Sequence, residues 1–444
     1  MIKTIIAALL ALLTAPALAQ ATPAERRMAT FVEADRAYGE ALLERLVNQN
    51  SGTLNLPGVR AVGDMLGPEF EALGFEVRWI DGAAWGRAGH LVATHRPATA
   101  RIPAGSSRHG PRGRRVLMIG HLDTVFEPAS PFQRYSREGN RAIGPGVGDD
   151  KGGIIVILAT LRAMQDAGTL ARADITVFLT GDEERVGRPL EAARADLIAA
   201  GRAADVALEY EGLLQDSAGD YGTTARRSSS NWTLTTTGRT GHSSTIFAPG
   251  NGYGAIYEMA RILDAFRREL PEANLTYNVG VLAGGTPAGL DTAEETATGT
   301  GKTNIIASEA VARGDLRTLT IEQDARIRAA MQAIVDANLP ETDATIRFDD
   351  GYPPMAPTPG NRALLALLNS VNRDMGLPVM AEVEPSRRGA ADSGFVAPYV
   401  DTLGGLGSAG GRAHAEGEYI DLDSIPRQAL RSAVLISRLS AMQR

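Results

Sequence analysis

The sequence contains no cysteine. Disulfides, thiolate metal sites and cysteine nucleophiles are therefore excluded, and any metal has to be held by histidine, aspartate and glutamate. Histidine is scarce as well, with six in 444 residues, so each position is informative. A basic excess is missing: the formal net charge is -7, which gives no reason to expect nucleic acid or an anionic membrane as a partner. Nothing in the sequence approaches the run of roughly 20 apolar residues that a membrane span needs. No internal repeat is visible. What remains is a balance of 44% hydrophobic and 22% charged residues, which suits a globular chain with a sizeable core. At about 150 residues per domain, the length predicts two or three domains.

Residues 1–19 read as a secretory signal peptide. Lys3 supplies the positive start, Ile5 to Leu13 the short apolar run, and Ala17-Leu18-Ala19 a cleavage site. The mature chain would begin at Gln20 and be periplasmic or secreted. Beyond it, strands are expected at Val116–Gly120, Ile175–Thr180 and Val206–Leu208, and helices at Gly153–Ala167 and Arg188–Ala200. This alternation implies a mostly parallel sheet flanked by helices, an α/β fold in which sites gather at the carboxyl ends of the strands. From about Arg227 the pattern changes. Strand Trp232–Thr236, helix Ala255–Leu270, strands Leu275–Leu282 and Asn304–Arg317, helix Ile321–Ala337 and strand Ala344–Phe348 give a β-α-β-β-α-β order. That is the split arrangement of a small α+β, ferredoxin-like domain. Helices at Arg362–Met375 and Ser424–Met442 resume the first domain. The expected organisation is thus a catalytic domain in two parts, 20–226 and 353–444, interrupted by a lid or dimerisation domain at 227–352. The Pro/Gly/Ser/Arg-rich stretch Pro97–Arg114 reads as a surface loop.

The chemistry-bearing residues collect at the predicted strand ends. His121 and Asp123 follow the first strand; at i and i+2 on extended backbone they point to one side. One can hold a metal while the other orients the ring, although alone so short a motif more often marks a structural histidine. Next comes Gly144-Pro145-Gly146-Val147-Gly148-Asp149-Asp150-Lys151-Gly152-Gly153. Glycine-rich turns into helices bind phosphate, but two adjacent carboxylates would repel it, and neither the P-loop nor the dinucleotide spacing is met. A carboxylate on a tight turn suits a cation better, with a helix cap open to one of the pair. Asp182-Glu183-Glu184 follows the second strand, where three acids repel one another unless a cation or proton intervenes; a solvated charge run is the alternative. Glu209-Tyr210-Glu211 ends the third strand, and His414 sits in Gly411-Arg412-Ala413-His414 before the last helix.

Taken in order, HLDTV, GPGVGDDKGG, TGDEE, YEG and the late AH resemble the motifs of the M20 family of metallopeptidases, in its glutamate carboxypeptidase (carboxypeptidase G2-like) branch. The resemblance spans essentially the whole mature chain. It implies a zinc-exopeptidase-like catalytic domain carrying two Zn2+ per subunit, with His121, Asp149, Glu184, Glu211 and His414 as metal ligands. Asp149 would bridge the ions, with His121 and Glu211 on one and Glu184 and His414 on the other. Glu183 matches the general base and Asp123 the residue that orients the first histidine. His242, in Thr240-Gly241-His242-Ser243, matches a histidine that reaches a partner subunit's active site, which implies a homodimer joined through the inserted domain. Asn304 and Arg317 resemble residues that contact substrate. Two departures are Glu211, where Asp and Glu alternate in the family and Glu209 lies close by, and Gly212, where relatives often carry proline.

These residue types fit amide hydrolysis. Zinc accepts imidazole and carboxylate, and lowers the pKa of water toward neutrality. A carboxylate beside the metal can take the water's proton and hand it to the leaving amine. An arginine such as Arg317 can grip a substrate carboxylate in a bidentate fork. The expected substrate is a small peptide or N-acyl amino acid cleaved at a C-terminal residue, glutamate included. Aminoacylase, dipeptidase and desuccinylase activities share the same core and are alternatives. A zinc-bound non-catalytic scaffold or solute-binding protein is the non-enzymatic one. His90, His95 and His109 carry no motif and read as structural or surface residues.

Overall fold

Three helices, Pro23–Ala34, Arg36–Asn48 and Leu56–Glu71, precede the first strand of the computed structural model, which describes residues 21–97 and 113–444. The leader expected at 1–19, most of the Pro97–Arg114 loop and His109 lie outside those residues. The first helix starts on a capping box: the Thr22 hydroxyl accepts from Glu25 N at 3.2 Å while Thr22 N donates to the Glu25 carboxylate at 2.7 Å. Such reciprocal bonds satisfy the amides that a helix start leaves open. No described helix is long and apolar enough to cross a membrane.

The chain divides into two units: Met1–Thr224 with Pro357–Val383 and Phe395–Arg444, and Ala225–Ala356 with Glu384–Gly394. The expected second segment of the catalytic domain, from 353 onward, is therefore interrupted, because 384–394 groups with the second unit. The first unit is built on a six-stranded sheet. Five of its strands are β1 (Glu76–Asp81), β2 (Gly89–His95), β3 (Arg115–His121), β4 (Asp174–Thr180) and β5 (Val206–Glu209); the sixth is Thr402–Leu403. Their order across the sheet is β1-β2-β4-β3-β5 and then 402–403. From β4 onward every neighbouring pair is parallel, while β2 runs antiparallel to both β1 and β4. The sheet is thus mixed and mostly parallel, with an antiparallel edge that was not expected from the sequence.

Helix Gly152–Asp166 is buried on all sides through Leu161, which explains its apolar run of Ile154, Ile155, Val156, Ile157 and Leu158. Its start tolerates no side chain: a Cβ on Gly153 would sit 2.1 Å from the Tyr210 carbonyl oxygen and 2.1 Å from Asp150 Oδ1. The final helix, Ser424–Leu439, packs on it.

In the second unit, strand Ser229–Gly238 is central. It pairs antiparallel with Glu309–Arg317 on one side and Thr342–Tyr352 on the other. Helices Ala255–Glu269 and Ile321–Asp336 cover the sheet through Met259, Ile262, Phe266, Ile327, Met331 and Val335, around the buried Trp232 and Leu234. The β-α-β-β-α-β order holds in an antiparallel sheet, with two local corrections. The run expected as one strand over Leu275–Leu282 breaks into Thr276–Tyr277 and Val281–Gly285, both paired with Glu309–Arg317. Between them Asn278 O approaches so closely that a Cβ on Gly314 would lie 1.7 Å away. The strand expected from Asn304 starts only at Glu309, and a hairpin of Ala288–Leu290 with Ala297–Gly299 fills part of the intervening chain.

Candidate metal centre

Parallel strands deliver their following residues to one edge of the sheet. His121 is the last residue of β3, Glu183 and Glu184 follow β4, and Glu209 ends β5 with Glu211 just beyond. His121 is buried, and its Nδ1 lies 3.1 Å from the Asp123 carbonyl oxygen and 3.4 Å from Asp123 Oδ1. An Nδ1–H donating there leaves Nε2 with a lone pair. That atom faces Asp149 Oδ1 at 2.9 Å. Two lone pairs at this separation require a proton or a cation between them.

The other Asp149 oxygen, Oδ2, lies 3.1 Å from Nε2 of His414, and the same nitrogen lies 3.1 Å from Glu184 Oε2. One carboxylate therefore addresses two imidazoles with separate oxygens, the arrangement of a bridging ligand. Single donor atoms of Asp149, Glu184 and His414 lie within 4.8 Å of one another, as do those of His121, Glu183 and Glu184. Glu184 Oε1 is buried with no hydrogen-bond partner among the described residues. An orphaned buried acceptor costs about 1–3 kcal/mol, and more when charged, so the donor set fits a cation.

The field of these acids is visible in their titration. Hydrogen bonds to Asp149 and then Glu184 raise the His414 pKa to about 10. Burial resists charge on His121, but its bonds to Asp123 and Asp149 prevail and lift its pKa well above the ordinary value. Burial likewise opposes the Asp149 carboxylate, yet the two imidazoles hold its pKa far below the usual range. Burial pushes Glu184 upward. The arrangement that draws protons onto two imidazoles also draws a metal ion, and the two compete for the same nitrogens.

The remaining expected residues fall out as follows. Asp150 is fully buried and its Oδ2 accepts from His121 N at 3.3 Å; Cβ atoms on Gly120 and Gly153 would lie 2.7 and 2.1 Å from its oxygens. Burial, with repulsion from Asp149 and Glu211, raises its pKa well above the usual carboxylate value. Glu211 is half-buried and close enough to act on Asp150, but neither group of converging donors includes it, and Glu183 stands beside His121 instead. Glu209 is buried with Oε2 against Gly404, where a Cβ would lie 2.3 Å away.

His242, Asn304 and Arg317 belong to the second unit. His242 is exposed, and its Nδ1 accepts from Ser244 N at 3.2 Å. Asn304 lies in a turn whose carbonyl accepts from Ser243 N at 3.0 Å, which brings it beside the His242 loop. Arg317 Nε donates to Asp315 at 3.0 Å, leaving its terminal nitrogens without partners among the described residues.

Several further contacts support the centre. Asp123 is wholly buried and accepts from Thr53 Oγ1 at 2.6 Å, Glu183 N at 3.0 Å and Glu184 N at 3.1 Å. The acidic turn is held from beneath by Arg194, whose Nη1 donates to Asp182 Oδ1 at 2.6 Å with both side chains buried. His90, buried within β2, accepts from Gly181 N at 3.2 Å. Glu418 accepts from the amides of the glycine-rich loop, and burial raises its pKa to about 7. Burial brings the Lys151 amine down to about 7, where its Nζ donates to Gln49 O at 3.1 Å. Apart from Arg194 with Asp182, these contacts join segments far apart in the chain, and of these residues only Asp123 had a role readable from the sequence.

A mixed, mostly parallel sheet with converging His, Asp and Glu in one unit, and an antiparallel sheet in the other, define a metallopeptidase architecture. The profile of peptidase family M20/M25/M40 matches residues 117–437, and the chain belongs to that family. It is a metallo-hydrolase acting on peptide or amide bonds. The chain is 28% identical over 415 residues to carboxypeptidase G2 of Pseudomonas sp. strain RS-16, covering 90% of this chain and 88% of the relative. It is 25% identical over 400 residues to the succinyl-diaminopimelate desuccinylase of Variovorax paradoxus, covering 86% and 93%. Among solved structures, aminopeptidase PepT of Bacillus cereus superposes with a TM-score of 0.67 at 17% identity, covering 91% of this chain and 98% of that one. That last likeness speaks for the fold alone.

Proposed function

We propose that the protein is an exported dizinc carboxypeptidase that hydrolyses the amide bond to a C-terminal amino acid, with glutamate as a candidate residue. The observation that carries the reading is Asp149, whose two oxygens face His121 and His414 separately. In this reading two zinc ions would be held by His121, Glu211, Glu184 and His414, with Asp149 shared between them. Bound zinc would supply Lewis acidity for a carbonyl and for water there.

The chain's own groups do the rest. Glu183 takes the proton of the attacking water and delivers it to the leaving amine. Asp123 holds the His121 ring and, through their amides, Glu183 and Glu184. Arg317 and Asn304 bind the substrate carboxylate, consistent with the open fork of Arg317. His242 donates to the developing oxyanion, from a partner subunit in a homodimer joined through the inserted domain. Mixing His242→Ala with Glu183→Gln tests that role: heterodimers regain activity if the histidine acts across subunits and stay inactive if it acts within its own chain. Export rests on the leader read at 1–19.

The likeness to carboxypeptidase G2 supports the carboxypeptidase reading. The desuccinylase relatives support a second one, cleavage of an N-succinyl amide. A hydrolysis panel at controlled free zinc separates them. N-acyl-glutamates and dipeptides turning over ahead of N-succinyl and N-acetyl amino acids supports the carboxypeptidase; the reverse order favours the alternative, and no hydrolysis of any member sinks both.

A further inference from the structure

The glycine-rich loop does cradle an anion, and the anion is the protein's own. Three backbone N–H groups of this loop converge on the Glu418 carboxylate. Gly148 N donates to Oε1 at 2.7 Å, Asp149 N donates to Oε1 at 2.9 Å, and Gly146 N donates to Oε2 at 3.1 Å. Successive amides turned inward form a nest that favours negative charge. The glycines permit this wrapping. Gly146 has φ +68°, and a Cβ on it would lie 2.2 Å from Thr124 Cγ2. A Cβ on Gly148 would lie 3.3 Å from Glu418 Oε1. The Glu418 side chain is 1% exposed, so water cannot replace it without opening the loop.

Glu418 also belongs to the turn that carries His414. Its own N–H donates to Ala415 O at 3.1 Å, and Ala415 N donates to Arg412 O at 3.0 Å. His414 itself has φ +63°, a conformation an L-residue keeps only when its surroundings hold it. One side chain therefore ties the loop of Asp149 to the turn of His414, across 269 residues of sequence. The main-chain bond to Asp149 N sets where that residue's carboxylate starts, and the shared turn sets where the His414 ring meets it at 3.1 Å.

We propose that Glu418 is the positioning residue of the metal centre, fixing Asp149 against His414 and so setting the affinity for the cation those two residues share. The inference rests on the dizinc reading. Neutralising Glu418 removes an acceptor from one amide and the charge that the nest surrounds. Losing a partner that orients ligands costs about 10- to 100-fold in metal affinity.

The test is zinc titration of the metal-stripped full chain against a chromogenic chelator, with the melting temperature of the stripped protein measured alongside. Glu418→Gln is compared with Asp220→Asn, which breaks the buried 2.6 Å pair of Asp220 with Arg431 away from the glycine-rich loop. The expected result is one zinc dissociation constant weakened about 10- to 100-fold in Glu418→Gln, and both constants unchanged in Asp220→Asn, even where the two variants melt alike. Unchanged zinc affinity in a folded Glu418→Gln overturns the inference, and so does equal weakening in Asp220→Asn. If Glu418→Gln does not fold, Gly148→Ala serves instead, since its added methyl presses on Oε1; wild-type zinc affinity in that variant overturns the inference. Wild-type protein that takes up no zinc overturns the dizinc reading itself.

Discussion

The backbone N–H of Glu183 donates to Oδ1 of Asp123 at 3.0 Å. The residue beside the His121 ring thus also sets the turn that carries the proposed general base. Asp123 orients a histidine and the acidic turn at once, and Thr53 Oγ1 fixes its other oxygen at 2.6 Å.

Asp123→Asn places an NH2 group where one carboxylate oxygen now accepts a backbone N–H, from Glu183 at Oδ1 or from Glu184 at Oδ2, so a donor meets a donor. The expected outcome is zinc affinity lowered about 10- to 100-fold, with turnover reduced even at saturating zinc because Glu183 shifts with the turn. Titration with zinc followed by kinetics at saturation checks both parts; wild-type turnover at saturation would separate Asp123 from the base.

Glu183→Gln is expected to keep its metal and lose about 100-fold or more in turnover, the usual weight of a general acid–base residue. Because Glu183 stands within ligand distance of His121 and Glu184, metal analysis of the variant is decisive. Loss of zinc with undiminished activity per bound metal would make Glu183 a ligand and return the base to another residue.

Metal uptake is expected to release protons. With its pKa raised to about 10, His414 carries a proton at neutral pH, and a cation at Nε2 must displace it. Zinc affinity then rises with pH throughout the range below about 10 and falls as the solution is acidified. Calorimetry in buffers of different ionisation enthalpy measures the release directly; heats independent of the buffer would contradict this picture.

Alanine normally stabilises a helix relative to glycine by about 1 kcal/mol, but Gly153→Ala should do the opposite. Its methyl would lie 2.1 Å from both Asp150 Oδ1 and the Tyr210 carbonyl oxygen, and overpacking of this kind costs about 1–3 kcal/mol. A lowered melting temperature is the expected result, and a stabilised variant would show that the helix start can move.

The parts of the centre legible in the sequence were those where chemistry breaks a local pattern. Asp182-Glu183-Glu184 after Ile175–Thr180 and His121 after Val116–Gly120 are charges at the ends of apolar strands, and such ends meet at one edge of a parallel sheet. The doubled Asp149-Asp150 was legible as a pair; what sets Asp150 apart, the close packing of Gly120 and Gly153 around it, is tertiary. Thr53, Arg194 and Glu418 were not legible, because each acts on a segment reached only through the tertiary fold or across a helical turn, and an isolated Thr, Arg or Glu has no local signature. Strands β1 and β2 carry no motif either: β2 joins the sheet by pairing with β4, and β1 joins it only through β2. The strand expected over Asn304–Arg317 begins only at Glu309, so Asn304 stands outside the ladder.

The central claim is a pair of zinc ions sharing Asp149. Anomalous diffraction at the zinc edge, from crystals of protein purified without chelator, tests it most directly. The expected map holds two peaks per chain about 3.5–4 Å apart, one beside His121 and the other between Glu184 and His414, with Asp149 between them. A map with no zinc peak at these residues, from protein whose amide hydrolysis survives chelation, would contradict the account.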